Sequence, residues 1–301
     1  MRKLPSSGGG WAPAAQRLIP GDGQSCLNEY FWLMPAYVVS GSNGGLGRAI
    51  RAKIEAHGHS VIGVDVMAAE VIADLSTGPG RNEAVAGVMG VLSSADPEVG
   101  LAGVVACAGL GGTVKDTALV AGVNYFGAVG LLDGLFARLA SEAQKSKDSP
   151  DESVGAVAIC SNSASFFTST HQELVELMLK GHEGSALEAA AGLDGQTVYG
   201  LSKLALARAV RRRAVDWGQA GVRINGVAPG PVPTPLLEAS LDDPVAGPAI
   251  RQFPIPLGRW GRPEDIAEAV WFLLSPQSAW TTGAVLFVDG GTDALIRPES
   301  I

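Results

Sequence analysis

The chain reads as an α/β protein: one doubly wound parallel sheet, covered by helices on both faces, with a helical insertion. Three observations predict it. Short unbroken apolar runs alternate with segments of helical spacing from Ala36 to Val288. Strands buried on both faces read as such runs, and parallel strands need crossovers between them. A glycine-rich turn, Ser40-Gly41-Ser42-Asn43-Gly44-Gly45-Leu46-Gly47, joins the first run to the first helical segment. The composition is that of a chain with a full core: 47% hydrophobic and 17% charged, with mean hydropathy +0.21. It excludes disorder as the general state.

The first strand is expected at Ala36–Ser40 (AYVVS), which ends in glycines. Leu46–Ala56 has helical spacing, and Ser60–Val64 (SVIGV) is an apolar run that ends in Asp65. Val71–Leu75 is another short run, Arg81–Leu92 a helix, and Leu101–Ala106 (LAGVVA) a strand. Val114–Ala143 holds a long helix. Its most apolar stretch, Ala118–Leu132, contains Asn124 and stops at Asp133, short of the ~18 residues of a membrane span. Val154–Cys160 is a strand, Thr197–Trp217 a strong helix and Val222–Ala228 a strand. Pro263–Leu274 opens with proline, which suits a helix start, and Ala284–Val288 is the last strand.

One segment breaks the alternation. Ser165–Gln196 separates a strand from the helix that should follow it, and His171–Lys180 and Ser185–Ala191 read as two short helices. Connections of that length are commonly lids or interfaces. The segment is therefore expected to shape substrate access or a subunit contact. Residues 1–33 carry linker-like Ser6-Ser7-Gly8-Gly9-Gly10 and Pro20-Gly21-Asp22-Gly23 without periodicity. They read as a flexible extension, or as sequence ahead of a working start at Met34. Residues 34–301 make the expected single domain.

Charge and cysteine usage narrow the partners. Lys+Arg is 22 and Asp+Glu 30, a net charge of −8 with a pI of about 5.0. A nucleic-acid partner needs a basic face, so that class is set aside. The three cysteines, Cys26, Cys107 and Cys160, are far apart and lack CxxC spacing. That fits reduced thiols in a cytoplasm rather than a disulfide framework or a zinc site. Arg2 and Lys3 have no continuous apolar region behind them, so no secretory signal is read. His57 and His59 read as capping or solvated groups. His171 and His182, with Glu173 and Glu183, fit no metal template, and no metal site is expected.

The glycine turn is the first chemical motif. Glycines let the backbone turn tightly and approach a pyrophosphate, which would sit on the following helix N-terminus. Asp65 closes the second strand, where a carboxylate accepts from adenosine ribose hydroxyls and repels a 2′-phosphate. No arginine follows it. Asp74-Leu75, which closes the next run, can reach an adenine edge or simply cap a turn. Tyr199-Gly200-Leu201-Ser202-Lys203 puts a phenol and an ammonium on one helix face, since i and i+4 are neighbours. A nearby cation favours phenolate and is expected to bring the phenol below its reference pKa near 10.

With these motifs in order, the stretch from about Tyr37 to Arg297 resembles the short-chain dehydrogenase/reductases. The resemblance rests on the glycine turn, Asp65, Asp74, Cys107-Ala108-Gly109, Asn124, Ser161, Tyr199 with Lys203, and Pro229-Gly230. It implies a Rossmann-type fold and an NAD-dependent enzyme acting on a secondary alcohol or ketone, working as a homodimer or homotetramer. It implies Tyr199 as general acid/base, Lys203 lowering its pKa and holding the nicotinamide ribose, and Ser161 orienting the substrate oxygen. Asn124 would support a proton-relay water. The cofactor-binding set it implies is Gly41, Asn43, Gly44, Gly45, Leu46, Gly47, Asp65, Asp74, Leu75, Cys107, Ala108, Gly109, Tyr199, Lys203, Pro229, Gly230, Val232 and Thr234.

Two positions depart from the family pattern. Cys107 stands where the family's asparagine ties strands together, so the local support must differ. The strand end Cys160-Ser161-Asn162-Ser163 offers Ser163 as an alternative to Ser161. The departures are similar to the branch of bacterial 3α-hydroxysteroid dehydrogenase/carbonyl reductases, through Val71–Thr77, Cys107–Gly111, Val123–Ala128, Thr234-Pro235-Leu236-Leu237, Asp289-Gly290-Gly291 and Arg297-Pro298. That branch also holds coniferyl-alcohol-type dehydrogenases, so the substrate stays open. The substrate pocket is expected beyond the C-terminal strand ends, under a lid from Pro231–Leu257. A non-catalytic dinucleotide sensor is the alternative of a different class; it need not keep Ser161, Tyr199 and Lys203 in register.

Overall fold

The computed structural model of the chain describes residues 35–95, 99–146, 153–244 and 246–299. The expected extension 1–33 and Met34 lie outside the described residues. Seven strands form one sheet: β1 (Ala36–Ser40), β2 (Ser60–Asp65), β3 (Val71–Ile72), β4 (Leu101–Ala106), β5 (Gly155–Ile159), β6 (Arg223–Pro229) and β7 (Val285–Val288). Every neighbouring pair is parallel, in the order β3-β2-β1-β4-β5-β6-β7.

The crossovers are helical. They are α1 (Gly45–Ala56), α2 (Gly78–Ser94), the long α3 (Thr117–Lys145), α4 (Gln172–Leu179), α5 (Glu183–Ala191) and α6 (Gly195–Gln219). Then follow α7 (Pro235–Leu241), α8 (Ala246–Arg251), α9 (Pro263–Leu274) and α10 (Thr292–Ile296). Alternation along β1 divides the core in two. Val38 joins a cluster with Leu131, Leu135, Leu201 and Ile224 on the α2–α3–α6 face. Tyr37 and Val39 join Ile50, Ile54, Ile266 and Val270 on the α1–α9 face. The chain leaves β1 toward β2 and β3, then returns to place β4 on the other side of β1. That reversal opens a crevice at the C-terminal ends of β1 and β4, where α/β sheets hold their ligands.

Local chemistry sets the element ends. Asp74 Oδ1 accepts from the Ser76 amide at 2.9 Å, so the run Val71–Leu75 pairs only over Val71–Ile72. α2 starts ahead of the expected Arg81, with Pro79 in its first turn and Thr77 accepting from Gly80. α3 starts at Thr117 because Asp116 accepts from the Leu119 amide, and it holds a π-helical turn at Gly122–Gly127. By length and composition α3 is apolar enough to cross a membrane, yet 61% of its most apolar stretch is buried inside the fold.

The insertion is part of the main core. α4 buries Leu174, Val175 and Met178, and α5 buries Ala186 and Ala190. Arg81 on α2 pairs with Glu183 at 2.6 Å. These contacts seat α4 and α5 on the α2–α3–α6 side of the sheet.

Candidate active site

The glycine turn is built tight enough to bring backbone, and nothing else, to the crevice. Gly41 has φ +65°, and a Cβ there would stand 2.7 Å from Ala108 Cα. Gly47 lies against the carbonyl of Gly41, which a Cβ would overlap. α1 therefore starts directly on the loop, with Gly44 as its N-cap and no side-chain cap on its first amides. Uncapped amides at a helix start suit an anion, so these residues fit a dinucleotide's pyrophosphate.

Asp65 stands beside this cradle. One carboxylate oxygen accepts from the Asn43 amide at 2.9 Å and the other from Val66 at 2.8 Å. The Asn43 side chain donates to the carbonyls of Met67 and Ala68. Among the described residues no ion pair engages Asp65. Arg51 on α1 is held instead by Glu55 and Glu70. Asp74 is exposed and caps its own turn. Leu75 and Val232 are buried in the core, and Leu46 is partly buried against it.

The far side of the crevice shows how the chain does without the family asparagine. Ser40, the last residue of β1, accepts from the amides of both Cys107 and Ala108, at 3.0 and 3.1 Å. One hydroxyl thus joins β1 to the loop after β4. Gly109 follows, and a Cβ on it would lie 3.3 Å from both Asn124 Oδ1 and Lys203 Nζ. Asn124 sits in the π-helical turn, fully buried. Its Oδ1 accepts from the Leu110 amide at 2.7 Å, and its Nδ2 donates to Leu110 O and Ser202 Oγ. One lone pair of Oδ1 is left over.

Tyr199 and Lys203 lie one turn apart on α6, as their spacing requires. Lys203 Nζ is 5.9 Å from the centre of the Tyr199 ring and donates to Ile159 O at 2.9 Å. Burial raises the Tyr199 phenol above its ordinary value, and a hydrogen bond from Ser161 pulls it back in part. The expected lowering is not what this arrangement produces, because burial of the phenol is the largest influence on it. Burial also lowers Lys203, and it pushes the thiols of Cys107 and Cys160 up to about 12, so neither is a thiolate at neutral pH.

Ser161 is buried just beyond β5, on the side of Tyr199; Ser163 bonds to Ser161 Oγ rather than replacing it. At the β6 end, Gly230 donates its amide to Val288 O at 3.0 Å. Thr234 caps α7 and closes over the glycine turn, where a Gly45 Cβ would lie 2.7 Å from its methyl. Leu236 lies against Gly111, and Phe166 meets Phe253 edge-on at 5.7 Å. Ser40, Ile159 and Ser202 escaped the sequence reading. Only Ser40 carries a signal, a hydroxyl at a strand end beside the cradle. Among the described residues no cluster of three His, Cys, Asp or Glu is arranged to hold a metal.

A parallel sheet with a glycine cradle at its reversal, and a Ser, Tyr and Lys at the neighbouring strand ends, defines a class of oxidoreductase. The chain belongs to the short-chain dehydrogenase/reductase family and acts on CH–OH and carbonyl groups. A family model described as enoyl-(acyl carrier protein) reductase matches residues 118–293. The chain is 41% identical over 268 residues to the 3-alpha-hydroxysteroid dehydrogenase/carbonyl reductase of Comamonas testosteroni, covering 88% of this chain and 99% of that protein. The solved 3-alpha-hydroxysteroid dehydrogenase from Pseudomonas sp. B-0831, complexed with NADH, is 41% identical with a TM-score of 0.80, over 88% of this chain and 100% of that one. A protein described as a 2-deoxy-D-gluconate 3-dehydrogenase from Agrobacterium tumefaciens, with bound NADP, shares the fold at 24% identity and a TM-score of 0.62, over 88% of this chain and 99% of that one.

Proposed function

We propose that this chain is an NAD(H)-dependent enzyme that interconverts a secondary alcohol and a ketone, with Tyr199 as the general acid/base. The observation that carries the reading is the meeting of Ser161, Tyr199 and Lys203 beside Gly109, next to the glycine cradle. The backbone of Gly41, Asn43, Gly44, Gly45, Leu46 and Gly47 would hold the pyrophosphate, and Asp65 the adenosine ribose. Lys203 would hold the second ribose, and Thr234 the carboxamide. The carboxylate of Asp65, engaged by no ion pair among the described residues, supports NAD over NADP, since it would repel a 2′-phosphate.

When bound, the nicotinamide supplies the hydride in reduction and takes it in oxidation. Tyr199 gives its proton to the carbonyl oxygen in one direction and takes the hydroxyl proton in the other. Ser161 donates to the same oxygen. Asn124 holds Leu110 and offers its remaining lone pair to a relay water. The exposed apolar side chains of Leu236, beside Gly111, and of Phe166 support an apolar substrate, and the hydroxysteroid relatives make a 3-ketosteroid the first to try.

NADH consumption with a 3-ketosteroid, an aryl ketone and a quinone tests the reading. Turnover of at least one, with kcat/KM at least about tenfold higher for NADH than NADPH, is expected; tenfold is about 1.4 kcal/mol of discrimination. Equal use of both cofactors would overturn the choice of NAD. The reading includes a cytoplasmic homodimer or homotetramer, which light scattering of the purified enzyme checks.

A further inference from the structure

Ser163 lies outside the groups given a role above. Its backbone amide donates to Ser161 Oγ at 3.2 Å, and its hydroxyl oxygen stands within hydrogen-bond distance of the same atom, at 3.0 Å. A serine oxygen has two lone pairs and one proton. With the Ser163 hydroxyl as donor, both lone pairs of Ser161 are engaged by one neighbour, and its proton, directed at the Tyr199 phenol when no substrate is bound, is all that residue has to offer. We propose that Ser163 is a positioning residue that makes Ser161 an obligate hydrogen-bond donor to the reacting oxygen of the substrate. The inference deepens the function proposed above and rests on it.

The surroundings hold Ser163 in place. Ser161 has extended backbone, with φ −163° and ψ 151°, and caps the short 3₁₀ turn Asn162–Phe167. Ser165 Oγ donates to Asn162 O at 2.6 Å, and Asn162 Nδ2 reaches Asp289 at 3.4 Å. The Phe167 ring lies against Gly200, the residue after Tyr199, where no Cβ would fit. The turn carrying Ser163 is thereby fixed against the helix carrying the phenol.

The polarity matters to the chemistry. A ketone oxygen only accepts, and negative charge builds on it as the hydride reaches carbon. A donor whose own oxygen already accepts two hydrogen bonds is polarised toward giving its proton, and donors aimed at developing charge act most strongly in a water-poor site. With the opposite polarity, Ser161 would give its proton to Ser163 and turn a lone pair on the substrate oxygen.

The test uses the full chain and the ketone of the panel that is turned over fastest, with NADH. The variants are Ser163→Ala, Ser163→Thr, Ser161→Ala, Tyr199→Phe and the double Ser161→Ala/Ser163→Ala. Ser163→Ala should lower kcat roughly tenfold, less than the ~10²–10³ of a donor that touches the oxyanion itself, with KM for NADH unchanged. Ser163→Thr, which keeps the hydroxyl, should restore kcat to within about threefold. In the Ser161→Ala background, loss of the Ser163 hydroxyl should cost nothing more, since its only route is through Ser161. A wild-type kcat in Ser163→Ala overturns the proposal. So does an unrestored kcat in a Ser163→Thr enzyme that melts like the wild type, or an undiminished second loss in the double variant. Near-normal kcat in both Ser161→Ala and Tyr199→Phe marks failure of the acid/base reading itself. A collapse in those two beside a neutral Ser163→Ala marks failure of this inference alone.

Discussion

Lys203 gives its hydrogen bond to the carbonyl of Ile159, at 2.9 Å, and so fastens α6 to the strand that ends just before Ser161. The ammonium serves the fold as well as the chemistry. Lys203→Met should therefore lower both kcat and stability, the latter by about 1–3 kcal/mol, because a buried carbonyl loses its donor. Tyr199→Phe keeps the ring and the tie to Ile159 and gives up only the hydrogen bond with Ser161. Its kcat should fall by roughly 10²–10⁴, the usual share of general acid–base catalysis, with a nearly unchanged melting temperature. Steady-state kinetics and thermal melts of the two variants separate the effects. A Tyr199→Phe enzyme keeping more than about a tenth of wild-type kcat would remove the phenol from the mechanism.

The phenol itself should be hard to ionise in the free enzyme. Burial penalises phenolate, so Tyr199 titrates above its ordinary value. The protonated form, which ketone reduction consumes, then persists through the neutral range. Phenolate absorbance of wild type minus Tyr199→Phe, followed from pH 7 to 12, should show no ionisation of Tyr199 below about pH 10. A difference signal with a midpoint near 8 would mean that Lys203 outweighs burial.

Ser40→Ala should show what replaces the missing asparagine. The hydroxyl serves two amides at once, and its loss leaves both without that acceptor. A destabilisation of about 1–3 kcal/mol is expected, together with weaker NADH binding, because Ala108 packs against Gly41 in the cradle. Urea unfolding and NADH fluorescence titration measure the two. Ser40→Thr, which keeps the hydroxyl, should recover most of both.

Arg223 supplies a stability prediction far from the chemistry. It is buried at the first residue of β6, and its guanidinium donates to the carbonyls of Leu273 and Leu274 at the end of α9 and to Ser278 in the 3₁₀ turn that follows. No carboxylate bonds it among the described residues, and burial brings its pKa down to about 10, so it stays charged at neutral pH. It closes a helix C-terminus whose carbonyls have no intrahelical partners. Arg223→Met should cost about 2–4 kcal/mol and roughly 5–10 °C in Tm. The site lies at the other end of β6, about 20 Å away at ~3.3 Å per residue. The kcat of the folded variant at 25 °C should therefore match wild type, which kinetics below the transition will show.

Much of the fold was legible because its signals are local. Ala36–Ser40, Leu101–Ala106 and Pro263–Leu274 fall where the apolar runs and the helix-opening proline put them. Val71–Leu75 was overextended because the turn made by Asp74 competes with pairing, and a run of apolar residues does not reveal that competition. The insertion looked like a lid or a contact surface, yet Leu174, Val175 and Met178 already had the spacing of a buried helix face. In the site, the pairing of Tyr199 with Lys203 follows from helix periodicity. The aim of the ammonium does not, because its acceptor, Ile159, comes from a distant strand. The π-helical turn around Asn124 left no mark either, since one wider turn hardly disturbs the apolar pattern of a long helix.

The strand order also dictates the sequence in which the enzyme's abilities appear. β1 and β4, the two walls of the crevice, both belong to the first part of the chain, with β2 and β3 between them. The serine, tyrosine and lysine proposed for the chemistry come later, after α3, with the insertion between the serine and the other two. Chains leave the ribosome N-terminal end first, at roughly 5–20 residues per second. The part that would grip a dinucleotide is thus made seconds before the part that would use it. Anything that binds a folded form and not the unfolded chain stabilises it by mass action, so a nucleotide reaching from the cradle to Lys203 and Thr234 would tie early-made and late-made segments together.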